Sequence, residues 1–125
     1  MTNTNGRGLR REGRRLRQGF ALFGTPTRSG VLVLLALLDE SYPRELARLL
    51  GAGLFAVQSA VEGLESDGAI ASRLVGRTRR VVLNPRFYGA AELKALLIKV
   101  SSGQRQILEA AASIRPRPRR RGKPL

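Results

Sequence analysis

The chain has 125 residues, of which 42% are hydrophobic, and its 23 Lys and Arg against 9 Asp and Glu leave a formal charge of +14. It contains no Cys and no His, which excludes disulfides, thiolate chemistry, imidazole metal sites and every histidine-based catalytic arrangement. The length allows one domain, and so large a positive charge points to a polyanionic partner, with nucleic acid favoured over an anionic membrane surface.

The charge is concentrated at the ends. Residues 1–17 carry six Arg and one Glu, residues 115–125 carry five Arg and one Lys, and the stretch between them has a net charge of +3. Arg outnumbers Lys twenty to three, which favours bidentate phosphate and base-edge contacts, although a GC-rich genome would produce the same bias. The longest apolar run, Val31 to Leu38, is far shorter than the roughly 18 residues of a spanning helix. The Arg-rich start also lacks an apolar core followed by a small-residue cleavage site. A cytoplasmic, nucleoid-associated protein without membrane segment or secretory signal is therefore expected.

Residues 1–17 form a basic arm expected to be largely disordered. Its first eight residues have no periodicity, and Leu9, Leu16, Phe20 and Phe23 then share one side of a helix that Gly13 and Gly19 each weaken by about 1 kcal/mol. The folded unit is expected over residues 18–114. Thr25 and Pro26 form a start signal, N-cap followed by a proline in the first turn, for a helix reaching Leu38. Because the run VLVLLALL is apolar on nearly every side, that helix should be central and covered from several directions. Asp39, Glu40 and Ser41 close it and lead to Pro43, where a second helix runs to Leu50 with Arg44 and Arg48 one turn apart on its exposed side.

Gly51-Ala52-Gly53 then turns the chain sharply into a third helix. Leu54, Val57, Val61 and Leu64 form its inward stripe, and Phe55, Ser59, Glu62 and Ser66 its outward face, flanked by Ala56 and Gln58. Asp67-Gly68 ends it. Two β-branched runs around Gly76-Arg77 read as a hairpin, with Ile70, Leu74, Val81 and Leu83 inward and Arg73, Arg77, Arg79 and Arg80 making it basic. A last helical region carries the stripe Leu93, Leu96, Leu97 and Val100, interrupted at Ser101-Ser102-Gly103 and continued by Ile107, Leu108, Ala111 and Ile114. The stripe needs the domain's own core or a second subunit to cover it, and Leu93, Leu96, Leu97 and Val100 are the dimerisation candidates. Residues 115–125, RPRPRRRGKPL, form a disordered, extended basic tail whose expected contacts are Arg117, Arg119, Arg120, Arg121 and Lys123.

Three helices, a basic hairpin and a terminal helical region, in that order, resemble the winged helix-turn-helix domain of bacterial ArsR-type transcriptional regulators. The resemblance covers about residues 20–100. It rests on Pro26-Thr27-Arg28 at the opening of the first core helix, on Glu45-Leu46-Ala47 in the second, on Val57, Leu64 and Gly68 in the recognition helix, and on LVGRTRRVVLNP as the wing. It implies a fold that is mostly α with a small β-hairpin wing, a double-stranded DNA partner and a homodimer. Family members usually carry Ser or Thr at the turn and at the exposed start of the recognition helix, where this chain has Gly53, Phe55, Ala56 and Ser59. Metal-sensing members use Cys, His and carboxylates, so the likeness implies the DNA-binding scaffold without metal sensing.

Base-reading candidates are Phe55 against a thymine methyl, Gln58 to adenine, Ser59, and Glu62 accepting from cytosine. The bland alternative is a face that is merely solvated or meets a protein, since no Lys or Arg occurs from Leu49 to Ser72. Phosphate or minor-groove candidates are Arg28, Arg44, Arg73, Arg77, Arg79 and Arg80, with a plain charged surface as the alternative. Arg121-Gly122-Lys123-Pro124 resembles the core of an AT-hook with Lys in place of Arg, against the simpler reading of electrostatic attachment. The carboxylates show no ligand spacing and no nucleophile has a histidine partner, so neither an enzyme, a cofactor nor a metal is expected. The reading is a DNA-binding transcriptional regulator. The alternative is an interaction module, or a nucleic-acid binder, including of RNA, without sequence preference.

Overall fold

Thr25 opens the ordered helical chain in a computed structural model that describes residues 21–114. Its Oγ1 accepts a hydrogen bond from the Arg28 N–H at 3.1 Å, and Pro26 follows where a missing N–H costs nothing, so helix α1 spans Pro26–Leu38. Residues 29–36 of α1 are all buried, as its all-round apolar character requires. Gly30 is where α2 crosses closest: a Cβ there would meet Leu50 Cδ2 at 2.5 Å. Thr25→Ala is expected to lower stability by about 1 kcal/mol, the usual worth of an N-cap side chain, read from a urea midpoint. An unchanged midpoint would mean that water caps the helix equally well.

Asp39 turns the chain out of α1 with φ at 76°, the single non-glycine residue at positive φ among the described residues. Its carboxylate lies 3.3 Å from Lys94 Nζ. Glu40–Ser41 then forms strand β1, α2 runs Pro43–Leu50, and α3 runs Leu54–Ser66. Strands β2, Ile70–Val75, and β3, Thr78–Leu83, make the hairpin; α4, Ala90–Ser101, and α5, Arg105–Ile114, complete the described chain. The sheet is antiparallel in the order β1-β3-β2, with Ser41 opposite Val81 on one side and Ser72 opposite it on the other. The protein is thus mostly helical with a small three-stranded sheet, an order compatible with a winged-helix layout.

The core gathers α1 at its centre, with Leu46 from α2, Val57, Val61 and Leu64 from α3, Ile70 and Val81 from the hairpin, Leu97 from α4, and Ile107 and Ala111 from α5. Among the described residues no helix is long and apolar enough to cross a membrane.

Several expectations need correction. Residues 21–24 form a turn, so Phe23 is not helical as expected and instead packs half-buried against the core. The whole arm, residues 1–17, and the whole tail, including Arg117, Arg119, Arg120, Arg121 and Lys123, lie outside the described residues. Glu40–Ser41 is a strand and not merely a helix stop; two residues are too few for an alternating pattern, and pairing with β3 decides their state. Of the dimerisation candidates, Leu97 is fully buried in the chain's own core, and Leu93 and Val100 pack half-buried against it. Only Leu96, 43% exposed, remains open to a partner. The terminal stripe is covered from within because the break after Ser101 lets α5 fold back onto α1 and α2. Finally, Leu74 does not point into the core: it is 73% exposed.

Candidate nucleic-acid interface

The hairpin extends beyond the core because its ladder continues past the buried pair region to Val75 opposite Thr78. Gly76 makes the reversal at φ 66°, while Arg77 stays at negative φ; this is the pattern of a two-residue type II′ turn, which only glycine enters without strain. At the base of the hairpin, Glu65 of α3 anchors it. Arg79 Nη2 lies 2.6 Å from Glu65 Oε1, the Ser72 hydroxyl donates to the other oxygen of Glu65, and Arg79 Nε reaches Ser72 Oγ at 3.3 Å. On the opposite face Glu40 sits between Arg73, at 3.6 Å, and Arg80, at 3.8 Å. The Arg80 guanidinium also stacks over the Tyr42 ring, 5.3 Å from its centroid.

These ties place the hairpin beside the first turns of α2 and α3, leaving an open groove of about 550 Å³ between them. It is lined by Tyr42, Pro43 and Arg44 at the start of α2, by Leu54 and Gln58 of α3, and by Arg77, Thr78, Arg79 and Arg80 of the hairpin. Neither Arg44 nor Arg77 forms an ion pair with any described carboxylate, so both guanidinium groups are available to a ligand. Arg79 and Arg80 present charge that is already partly answered within the fold. The arrangement suits a phosphate-bearing polymer running through the groove, with unpaired guanidinium groups from α2 and from the hairpin turn and with Arg79 and Arg80 held in fixed directions.

Phe55, Gln58, Ser59 and Glu62 are all exposed on one face of α3, as their spacing of three, one and three requires, and Phe55 is 81% exposed. Only Gln58 of the four lines the groove; the others continue outward from it along the helix. Arg28 lies elsewhere. Its Nη2 pairs with Asp67 Oδ2 at 3.0 Å, and its guanidinium lies across Gly63, where a Cβ would come within 2.8 Å. Arg28 therefore clamps the start of α1 to the end of α3, and its charge is partly answered by that pair. Sequence reasoning missed Tyr42 and Thr78 as groove residues, and missed Glu40 and Glu65 as the carboxylates that hold the hairpin. The one available signal for Tyr42 was an aromatic residue immediately before the helix-opening proline.

Among the described residues no group of three or more acidic side chains is placed to hold a metal ion. Comparison with protein-family models, with curated proteins and with solved structures finds no match in any of the three.

Proposed function

We propose that the chain is a winged helix-turn-helix protein that binds duplex DNA as a homodimeric transcriptional regulator of the ArsR type, located at the nucleoid. The observation that carries this reading is the groove in which α3 and the arginine hairpin meet, lined by Gln58 together with Arg44 and Arg77, neither of which pairs with a described carboxylate. In the proposal α3 enters the major groove, where Gln58 bonds an adenine edge, Phe55 packs on a thymine methyl and Glu62 accepts from cytosine. Arg44 and Arg77 neutralise flanking phosphates, and the basic ends of the chain add affinity without sequence preference. Kinship with the ArsR type is supported by Pro26-Thr27-Arg28 at the start of α1 and Glu45-Leu46-Ala47 in α2.

A second reading rests on Phe55 and on the charge of α3. An aromatic side chain this exposed, on a helix whose only charged residues are Glu62 and Glu65, also suits a protein partner, with the basic ends holding nucleic acid nonspecifically. Sequencing the duplex fragments retained by the full chain at moderate salt supplies the preferred site. Substituting Phe55, Gln58 and Ser59 together with Ala is then expected to cut discrimination between that site and random duplex by tenfold or more, since a good base contact is worth about 1–3 kcal/mol. Retained discrimination would remove α3 from base reading. Failure to enrich any sequence would favour the second reading.

A further inference from the structure

We infer that the hairpin tip is a wedge that bends duplex DNA from the minor groove, with Leu74 as the inserted side chain. The inference rests on the DNA-binding reading above and adds an architectural activity to it. Leu74 is 73% and Val75 50% exposed, at the end of β2, whereas Ile70 and Val81 on the same hairpin are buried. Core packing therefore does not account for two aliphatic residues at the tip. Water does not favour them there either, because loop tips ordinarily carry polar residues.

Their surroundings define the partner. Arg73, Arg77 and Arg79 stand around the aliphatic pair, Arg73 before it, Arg77 at the turn, and Arg79 directly across the ladder from Leu74. The prong is also stiff: its ladder is unbroken to the last pair, Val75 with Thr78, and its base is held by Glu65 and Glu40. A rigid aliphatic point among arginines matches a narrow minor groove, where negative potential collects arginine and an apolar side chain is driven between base steps. An anionic bilayer would also attract such a tip. DNA is favoured because Arg77 and Thr78, at the turn next to the aliphatic pair, line the same groove as Gln58 of α3, a hydrogen-bonding side chain that a lipid surface has no use for. Insertion costs least at pyrimidine–purine steps, so the bend should centre on a TpA or CpA step.

The experiment uses the full chain and a duplex of about 30 base pairs, labelled at its ends for energy transfer and carrying 2-aminopurine at a central TpA step. Wild type is expected to bring the ends together by a bend of about 20° or more and to brighten the 2-aminopurine as the step unstacks. Leu74→Ser should remove more than about half of both signals while changing the dissociation constant by less than roughly fivefold, and Leu74→Met should restore them. Because Leu74 is exposed, neither variant disturbs the core. A wild-type complex that stays straight, or a Leu74→Ser complex that bends as wild type does, overturns the wedge while leaving DNA binding intact. Absence of any wild-type complex with duplex DNA would instead remove the underlying reading. Leu74-dependent binding to phosphatidylglycerol vesicles in that case would assign the tip to a membrane.

Discussion

A chain carrying Arg44→Ala and Arg77→Ala is expected to bind a short duplex about 200-fold more weakly than wild type at 50 mM salt and roughly 20-fold more weakly at 200 mM. The estimate follows from counterion release. Each neutralised phosphate contributes a slope of about −0.9 in log affinity against log salt, so two lost contacts flatten the slope by about 2, and the penalty shrinks as salt rises. These two arginines are chosen because no described carboxylate competes for them, while Arg79 and Arg80 are already engaged with Glu65, Glu40 and Tyr42. Arg28→Ala is the internal control: its guanidinium is committed to Asp67, so its loss should leave the slope unchanged. Fluorescence anisotropy titrations across a salt series measure all three. A double variant with the wild-type slope would place the polyanion outside the groove.

The charge of this protein thus acts at two ranges. The basic excess lies mainly at residues 1–17 and 115–125, and a charge of that size attracts polyanions at long range without orienting them. Within the fold the arginines are sorted. Three of the four on the hairpin are held by Glu40, Glu65 or Tyr42, which costs them free charge but fixes their direction, and Arg77 at the turn is left open. Exposed ion pairs of this kind add little stability. Their consequence is geometric, since they set the angle at which the hairpin leaves the domain.

How much of this was legible in the sequence depended on the range of the forces involved. Thr25-Pro26, Pro43, Gly51 and Gly68 are local signals, read from backbone chemistry within a few residues, and the helices begin and end where they indicate. The stripe Leu54, Val57, Val61 and Leu64 has a period of its own, and its last three residues are buried while Leu54 packs half-buried against the core. The face Phe55, Gln58, Ser59 and Glu62 is exposed for the same reason. What could not be read is what distant residues decide. Strand β1 exists because Val81 and Val82 offer it a pairing edge. Arg28 is paired because Asp67, 39 positions away, comes beside it. Leu74 falls in the alternation of inward residues with Ile70, yet the hairpin outruns the core before reaching it, and periodicity carries no information about where a core stops.

Leu97→Ala is expected to destabilise the domain by about 2–5 kcal/mol, against a total of roughly 5–15 kcal/mol for a domain of this kind. Leu97 is fully buried between α4 and α1, so truncation removes its transfer free energy and leaves a cavity that the surrounding helices can only partly close. Leu96, the next residue and 43% exposed, should cost less than about 1 kcal/mol when truncated to Ala. The contrast separates two roles that one apolar stripe leaves confounded. If the stripe served mainly a second subunit, both substitutions would reduce self-association and leave the unfolding of the dilute chain nearly unchanged. If the stripe completes the chain's own core, Leu97→Ala moves the urea midpoint by roughly 1–3 M, and Leu96→Ala barely moves it. Sedimentation of Leu96→Asp then isolates the dimer question. A charge placed on that exposed position should break a dimer built on α4 without touching the core, and a Leu96→Asp chain that still dimerises would move the subunit contact to another surface.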